Sequence, residues 1–579
     1  MSAKPSASIS EIVFSGGQKF SFGPNEKVII VGPNNSGKSQ TLREIFGIAN
    51  RGDQARPVVL KSIEVGKTGD ADSLKDFLEE NAEIVGKNYR YKTWTLHTAH
   101  TPMWSQPFLT NNLVGGFMKN IDANNRLAIC NLHSSVSDTD QRTAPQHLLY
   151  DSEELMTRIS GLFRQAFGQD LMINYRGGST IPIHVGQLPS SEIGHPVSDA
   201  YVNAVKENPA LHEQGDGVKS YAGILFEAVV SDIDITLLDE PEAFLHPPQM
   251  RRLGQTLAAE VKGQLFVATH SSDVMRGFLE GTKGNVRMLR IRREGDKNIV
   301  AEAEPETVKE LWSTPILRYS NALEGVFHEQ AILCEDHSDC RLYNAVADYL
   351  SEFEHQRWLD TVYIPTGGKH AIPTIANVLR KIGVPIKAVF DLDLLRDKSD
   401  LEKAITAFGG DWEQIVPLWH RVNAAVSKGV PVKSTETIKA DIKQIIDGAA
   451  AEKLPKSDII KAMKQGSAWE IVKQMGASGL PKGQVRKDYE SLVQTLEAIG
   501  IYLVPVGEVE AFCPEIGGHG PGHVNKLLNE WSLSDDKLKD LRSFVAKFHQ
   551  GEHAPFSIIQ PEQEAEVVGP EGLAQAAPD

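Results

Sequence analysis

Residues 27–41 read Lys-Val-Ile-Ile-Val-Gly-Pro-Asn-Asn-Ser-Gly-Lys-Ser-Gln-Thr, and this stretch decides the first half of the fold. Lys27–Val31 is short, apolar and β-branched, the pattern of a buried strand, and Gly32-Pro33 stops it. Gly32 to Ser39 then has the spacing G-x-x-x-x-G-K-S, and helical spacing resumes at Thr41–Ile48. A glycine turn between a strand and a helix aims its backbone N–H groups at a polyphosphate. Asn34, Asn35, Ser36 and Gly37 are therefore the expected cradle for a nucleotide. Lys38 is expected to reach the β/γ-phosphates, and the Ser39 hydroxyl to ligate Mg²⁺.

A partner motif lies downstream. Asp234–Leu238 is a second strand of buried type, followed by Asp239-Glu240-Pro241-Glu242-Ala243-Phe244-Leu245-His246-Pro247. Asp239 at the strand end is placed to join the metal shell, and Glu240 to polarise an attacking water. Leu265–Ala268 is a third strand; it ends in Thr269-His270-Ser271, which puts His270 within reach of a γ-phosphate. Between these motifs the reading is harder. Arg126–Cys130 is expected as a strand, and Asp151–Phe167 as a helix with Leu155, Ile159, Leu162, Phe163 and Phe167 on one face, closed by Gly168.

These residues resemble the ATP-binding-cassette class of ATPases, above all its soluble branch with the RecF and SMC relatives. The likeness runs over about residues 10–300. It implies that ATP with Mg²⁺ is the cofactor and that His270 is the switch histidine. It also implies a head-to-tail homodimer in which a signature loop completes the partner's site. Gly215-Asp216-Gly217-Val218-Lys219-Ser220 is the candidate for that loop, which makes Gly217 and Lys219 nucleotide contacts in trans. It departs from the usual Ser-Gly-Gly-Gln form. The glutamine loop has no clear counterpart beyond Gln106.

Past 313 a second strand–helix rhythm begins. Ala331–Cys334, Val362–Ile364, Ile386–Phe390 and Ile501–Val506 read as strands of a second parallel sheet, with Leu342, Val346 and Leu350 marking a helix. Carboxylates follow three of them: Glu335 with Asp339, Asp391 with Asp393, and Glu508 with Glu510. Strand C-termini are where α/β sheets place ligands. Hard oxygen donors without Cys or His favour two Mg²⁺ or Mn²⁺ ions over zinc. Such a pair can clamp both oxygens in phosphodiester cleavage.

This arrangement resembles the TOPRIM fold over roughly 326–395 and 498–550, Gly367-Gly368-Lys369 included. Asp336 stands where that family commonly has Gly. Lys526 is the candidate to neutralise a transition-state phosphate. An ATP-binding-cassette ATPase followed by TOPRIM is similar to the OLD (overcoming lysogenisation defect) family, which includes the nuclease subunit of the Gabija phage-defence system. The resemblance implies an ATP-linked DNA endonuclease or nickase in antiviral defence, with DNA, a second copy and a defence-system protein as partners. A RecF/SMC-like clamp that binds DNA without cutting is the competing expectation, and a transporter ATPase subunit a third.

The fold expected is thus α/β. An ATPase domain covers 1–313, with an inserted region at about 50–205. TOPRIM segments follow at 326–397 and 498–550, split by a helical insertion at 398–497, and a disordered acidic tail closes the chain at 551–579. Composition fits. At 41% hydrophobic and 23% charged the chain is an ordinary globular one. Its net charge of −16 argues against a protein coated in positive charge. No apolar run reaches the ~18 residues of a membrane span, and the four cysteines form no CxxC pair, so reduced thiols in a cytoplasm are expected.

Overall fold

A computed structural model describes residues 4–190, 195–449 and 454–556. Most of the expected tail, 557–579, lies outside the described residues. Strand Lys27–Val31 lies inside a six-stranded sheet, flanked by Arg287–Glu294 and Gln264–Ala268; Ile235–Asp239 and Met118–Ile121 follow outward. These five run parallel, and Lys297–Glu302 adds an antiparallel edge beyond Arg287–Glu294. Parallel order puts the ends of Val31, Asp239 and Ala268 on one rim, so three motifs far apart in sequence meet there. A three-stranded antiparallel sheet, with Ala7–Phe14 between Lys19–Ser21 and Leu60–Lys67, adds to the core. There Phe22 meets Phe266 edge to face at 5.3 Å.

The region around 50–205 contributes to that main sheet through Met118–Ile121. The strand expected at Arg126–Cys130 is not one: Ala123–Ala128 is helical. Asp122 decides this, because its carboxylate caps the helix by accepting from the backbone N–H of Asn124 and Asn125, both at 2.9 Å. The helix expected from Asp151 is divided at Ser152, which ends Pro145–Asp151 and caps Glu153–Phe167 through Leu155 N. Gly168 closes it in the left-handed region, as the sequence suggests.

The second sheet is four-stranded and parallel, in the order Thr361–Pro365, Gln330–Cys334, Ile386–Phe390, Ile501–Leu503. The last strand is shorter than expected, since Pro505 and Gly507 turn the chain; Val504 N still donates to Phe390 O at 2.9 Å. The described part of 398–497 is a set of helices joined by loops, and Trp419, Val422, Val426, Leu492 and Leu496 are buried. Trp419 Nε1 donates to Leu395 O at 2.8 Å, so the insertion is seated on the turn that follows Asp391. All four cysteines are buried and unpaired.

Arg290 ties the two sheets together. Its guanidinium, 2% exposed on the fifth parallel strand, donates to the carbonyls of Val326, His328 and Gly383. Burial lowers its pKa to about 9, and three carbonyl acceptors offset the cost of burying the charge.

Helices Pro247–Glu260 and Ser272–Thr282 cross at a pair of glycines. A Cβ at Gly277 would stand 2.2 Å from Arg251 O, and one at Gly254 2.5 Å from Val274 O. Gly277→Ala is therefore expected to force the helices apart and cost about 1–3 kcal/mol, read as a lower thermal midpoint.

Candidate nucleotide and metal sites

The first site forms on the rim of the six-stranded sheet. Gly32 has φ +146°, and a Cβ there would meet Ile291 O at 2.1 Å. Gly37 has φ +101° and starts the helix Lys38–Arg51, while Asn35 takes φ +60°. Asn298 Nδ2 braces the turn by donating to Ser36 O at 2.6 Å. Lys38 is buried, and its ammonium donates to Gly32 O and Pro33 O at 2.8 and 2.7 Å. Burial brings its pKa down to about 8, against the pull of Glu240, Glu242 and Asp239.

Asp239 faces the Ser39 hydroxyl, and burial raises its carboxyl above the ordinary range. Its Oδ1 is buried with no hydrogen-bond partner among the described residues, an acceptor suited to a cation or its water. Glu240 adopts φ +46° and faces His270, with Nε2 to Oε1 at 3.3 Å. Glu242 holds the far strand end: it accepts from Thr269 Oγ1 at 2.8 Å and from His270 N at 2.7 Å. Burial outweighs those bonds and raises its carboxyl pKa.

Sequence reading missed Arg126 here. It is 0% exposed and donates to Asp239 O and Glu240 O at 3.1 and 2.8 Å, fixing the strained turn. Mistaking its helix for a strand hid this role. The candidate signature segment opens the helix Asp216–Leu225, whose Ser220 Oγ donates to Ala243 O at 3.2 Å. Lys219 pairs with Asp216 at 2.8 Å, and Gly217 lies against Phe244 O. Gln106 is exposed, and its carbonyl accepts from Lys67.

The second site lies at the ends of the four parallel strands. Oxygens of Glu335, Asp391 and Asp393 all fall within 4.8 Å of one another. Asp391 N donates to Glu335 Oε1 at 3.2 Å, and Gly368 N to Glu335 O at 2.9 Å, which locks three strand ends together. Glu508 and Glu510 gather separately, within 4.8 Å of His519. Glu510 Oε1 accepts from Gly520 N and contacts His519 Nδ1, both at 2.6 Å. An imidazole, which the sequence reading did not include, joins this second group. A Gly-rich loop brings it there, and no sequence pattern marked it.

Asp339 falls in neither group; its Oδ2 accepts from Asp336 N at 3.2 Å. Asp336, where glycine is the commoner residue, caps helix His337–Phe353 through Ser338 N at 2.9 Å. That hydrogen bond holds its carboxyl below the ordinary range. The other carboxyls shift the opposite way. Burial, then repulsion from Asp391 and Asp393, pushes Glu335 up to about 7. Burial and Asp391 raise Asp339 to about 7, and burial raises Asp391 to about 6 despite a neighbouring lysine.

That lysine is Lys473, from the helical insertion, 2.7 Å from Asp391 Oδ2 and 3.3 Å from Asp393 Oδ2. Lys369 adds a second ammonium at 3.4 Å from Asp393 Oδ1. Lys526, the lysine expected at the site, is exposed on helix Pro521–Glu530. Asp393 Oδ1 is buried without a hydrogen bond among the described residues. Clustered hard oxygens fit a divalent cation such as Mg²⁺ or Mn²⁺.

Two family models match the chain. Residues 133–276 match the one described as "AAA domain, putative AbiEii toxin, Type IV TA system". Residues 326–393 match the TOPRIM domain of overcoming-lysogenisation-defect-like proteins. An AAA-type ATPase domain is thus followed by an OLD-like TOPRIM domain, the pairing found in OLD-family ATPase–TOPRIM fusions. No match was found among curated proteins. Among solved structures, the chain is similar to an Smc head bound to the C-winged helix domain of ScpA, with 13% identity over 51% of this chain and 97% of that one and a TM-score of 0.32. An Smc head with an extended coiled coil, derived from Pyrococcus furiosus, gives 12% identity, 53% and 98% coverage and a TM-score of 0.31. An ATP-binding cassette of an ABC transporter gives 14%, 54%, 96% and 0.23. Among the described residues no helix is long and apolar enough to cross a membrane.

Proposed function

We propose that this OLD-type protein is an ATP-hydrolysing, divalent-metal-dependent DNA endonuclease or nickase. One observation carries the reading: Glu335, Asp391 and Asp393, delivered by adjacent parallel strands, bring their oxygens within 4.8 Å of one another. Collecting this much negative charge is costly, and Lys473 with Lys369 offsets only part of it, which favours a bound cation. Glu335, Asp391 and Asp393 would hold one ion, and Glu508, Glu510 and His519 a second. Bound ions would supply Lewis-acid stabilisation of the phosphodiester oxygens. At the other site Asn34 to Gly37 would cradle the phosphates, Lys38 would neutralise them, Ser39 and Asp239 would hold Mg²⁺, and Glu240 with His270 would orient the water. Gly217 and Lys219 would meet the nucleotide of a second copy in a homodimer. Arg290, which joins the nucleotide-site sheet to Gly383, offers a route by which ATP occupancy reaches the cutting domain. Antiviral defence is the biological role we assign, on the domain pairing.

The direct test is nicking of supercoiled plasmid. Cleavage is expected with Mg²⁺ or Mn²⁺ and none with chelator. DNA binding without cleavage under either ion would favour a clamp instead.

Protons and cations compete for these carboxylates. Glu335 and Asp339 titrate near 7 and Asp391 near 6 when folded, against about 4 when unfolded. Between those values the folded chain binds more protons, so the metal-free protein loses stability as pH rises from about 4 to 7. Cation affinity moves the other way and strengthens over the same range. Mn²⁺ titration is expected to show binding weaker by about tenfold or more at pH 5.5 than at pH 7.5.

A further inference from the structure

We infer that Lys473 is a tethered counter-ion of the carboxylate set, which a divalent cation must displace, so that the helical insertion sets the cation affinity of the cutting site. The inference rests on the metal reading given above and goes beyond it. Lys473 is 17% exposed and spans Asp391 Oδ2 and Asp393 Oδ2 at 2.7 and 3.3 Å. A divalent ion ligated by the same oxygens would sit about 2.1 Å from them, which leaves the ammonium and the ion within a few ångströms of each other. Two positive charges at that spacing in a half-buried site repel strongly.

Glu335, Asp391 and Asp393 bring three negative charges when ionised, and Lys473 with Lys369 offsets two of them. Asp339 and Glu508 add negative charge that acts on Asp391, so the ammonium is displaced for its place on the oxygens and not for the overall charge.

The backbone around Lys473 cannot make that withdrawal. A Cβ on Gly507 would stand 1.7 Å from Lys473 O, and one on Gly476 2.6 Å from Val506 C. Ala477 N donates to Pro505 O at 2.9 Å, and Arg396 pairs with Glu470 at 2.8 Å. Helix Ala468–Met475 is thus clamped between the turn after Asp391 and the loop that bears Glu508. Only the flexible methylene stem of Lys473 is free to swing, so the exchange is a side-chain event on a fixed support.

The test is Mn²⁺ alone, titrated into the full chain without nucleotide, for wild type, Lys473→Met, Lys473→Gln and Asp391→Asn. Both Lys473 variants are expected to bind Mn²⁺ about tenfold tighter than wild type, the scale of one contacting charge. Metal-free Lys473→Met is expected to melt below wild type, with saturating Mn²⁺ closing the gap. Equal or weaker Mn²⁺ binding in both variants overturns the inference, as does a lowered melting point that Mn²⁺ does not restore. If wild type and Asp391→Asn bind alike, the metal reading itself fails, which is a separate outcome.

Discussion

Asp391→Ala is expected to abolish DNA cleavage, a loss of about 10³-fold or more, while ATP hydrolysis stays near wild type. The two activities separate because Asp391 ends a strand of the second sheet, and the nucleotide groups lie on the rim of the first. Asp391 lies between Glu335 and Lys473: its N–H holds Glu335 and its Oδ2 holds the ammonium. Removing the carboxylate takes away a cation ligand and leaves Lys473 to Asp393. It also removes the neighbour that helps raise Glu335 and Asp339, so metal-free Asp391→Asn is expected to lose little stability. Plasmid nicking and ATPase rates measured on one preparation check both halves. Equal cutting by wild type and variant would remove Asp391 from the reaction.

The second large effect is expected at Glu240. Glu240→Gln keeps the size and the left-handed turn, whose carbonyls Arg126 grips, but loses the charge that faces His270. ATP hydrolysis is expected to fall by about 10²–10⁴-fold, the range for losing a general base, with ATP binding retained. A homodimer closed by nucleotide would then accumulate on size-exclusion chromatography with ATP and Mg²⁺. Hydrolysis at the wild-type rate would show that another group orients the water.

How much of this was readable follows from what each residue depends on. The strand Lys27–Val31, the turn to Ser39 and the strand-end acids were legible because parallel sheets put strand ends on one rim whatever separates them in sequence. Ile386–Phe390 with Asp391 and Asp393 belongs to that class. Residues brought in from elsewhere were not legible. Lys473 lies in an insertion whose Lys-rich helices all look alike, and only the clamp at Gly507 selects this one. His519 arrives on a loop of glycines that carries no periodicity. Arg126 was misplaced because the cap at Asp122 outweighs a short apolar run. Lys526 stands exposed on helix Pro521–Glu530, and its sequence neighbours carry no sign of that orientation.

Crystals soaked in Mn²⁺ and measured at its absorption edge would locate the cation directly. The account expects an anomalous peak bounded by Glu335, Asp391 and Asp393, with the Lys473 ammonium withdrawn from Asp391. A peak beside Ser39 and Asp239 alone, with Lys473 still paired to Asp391, would contradict it.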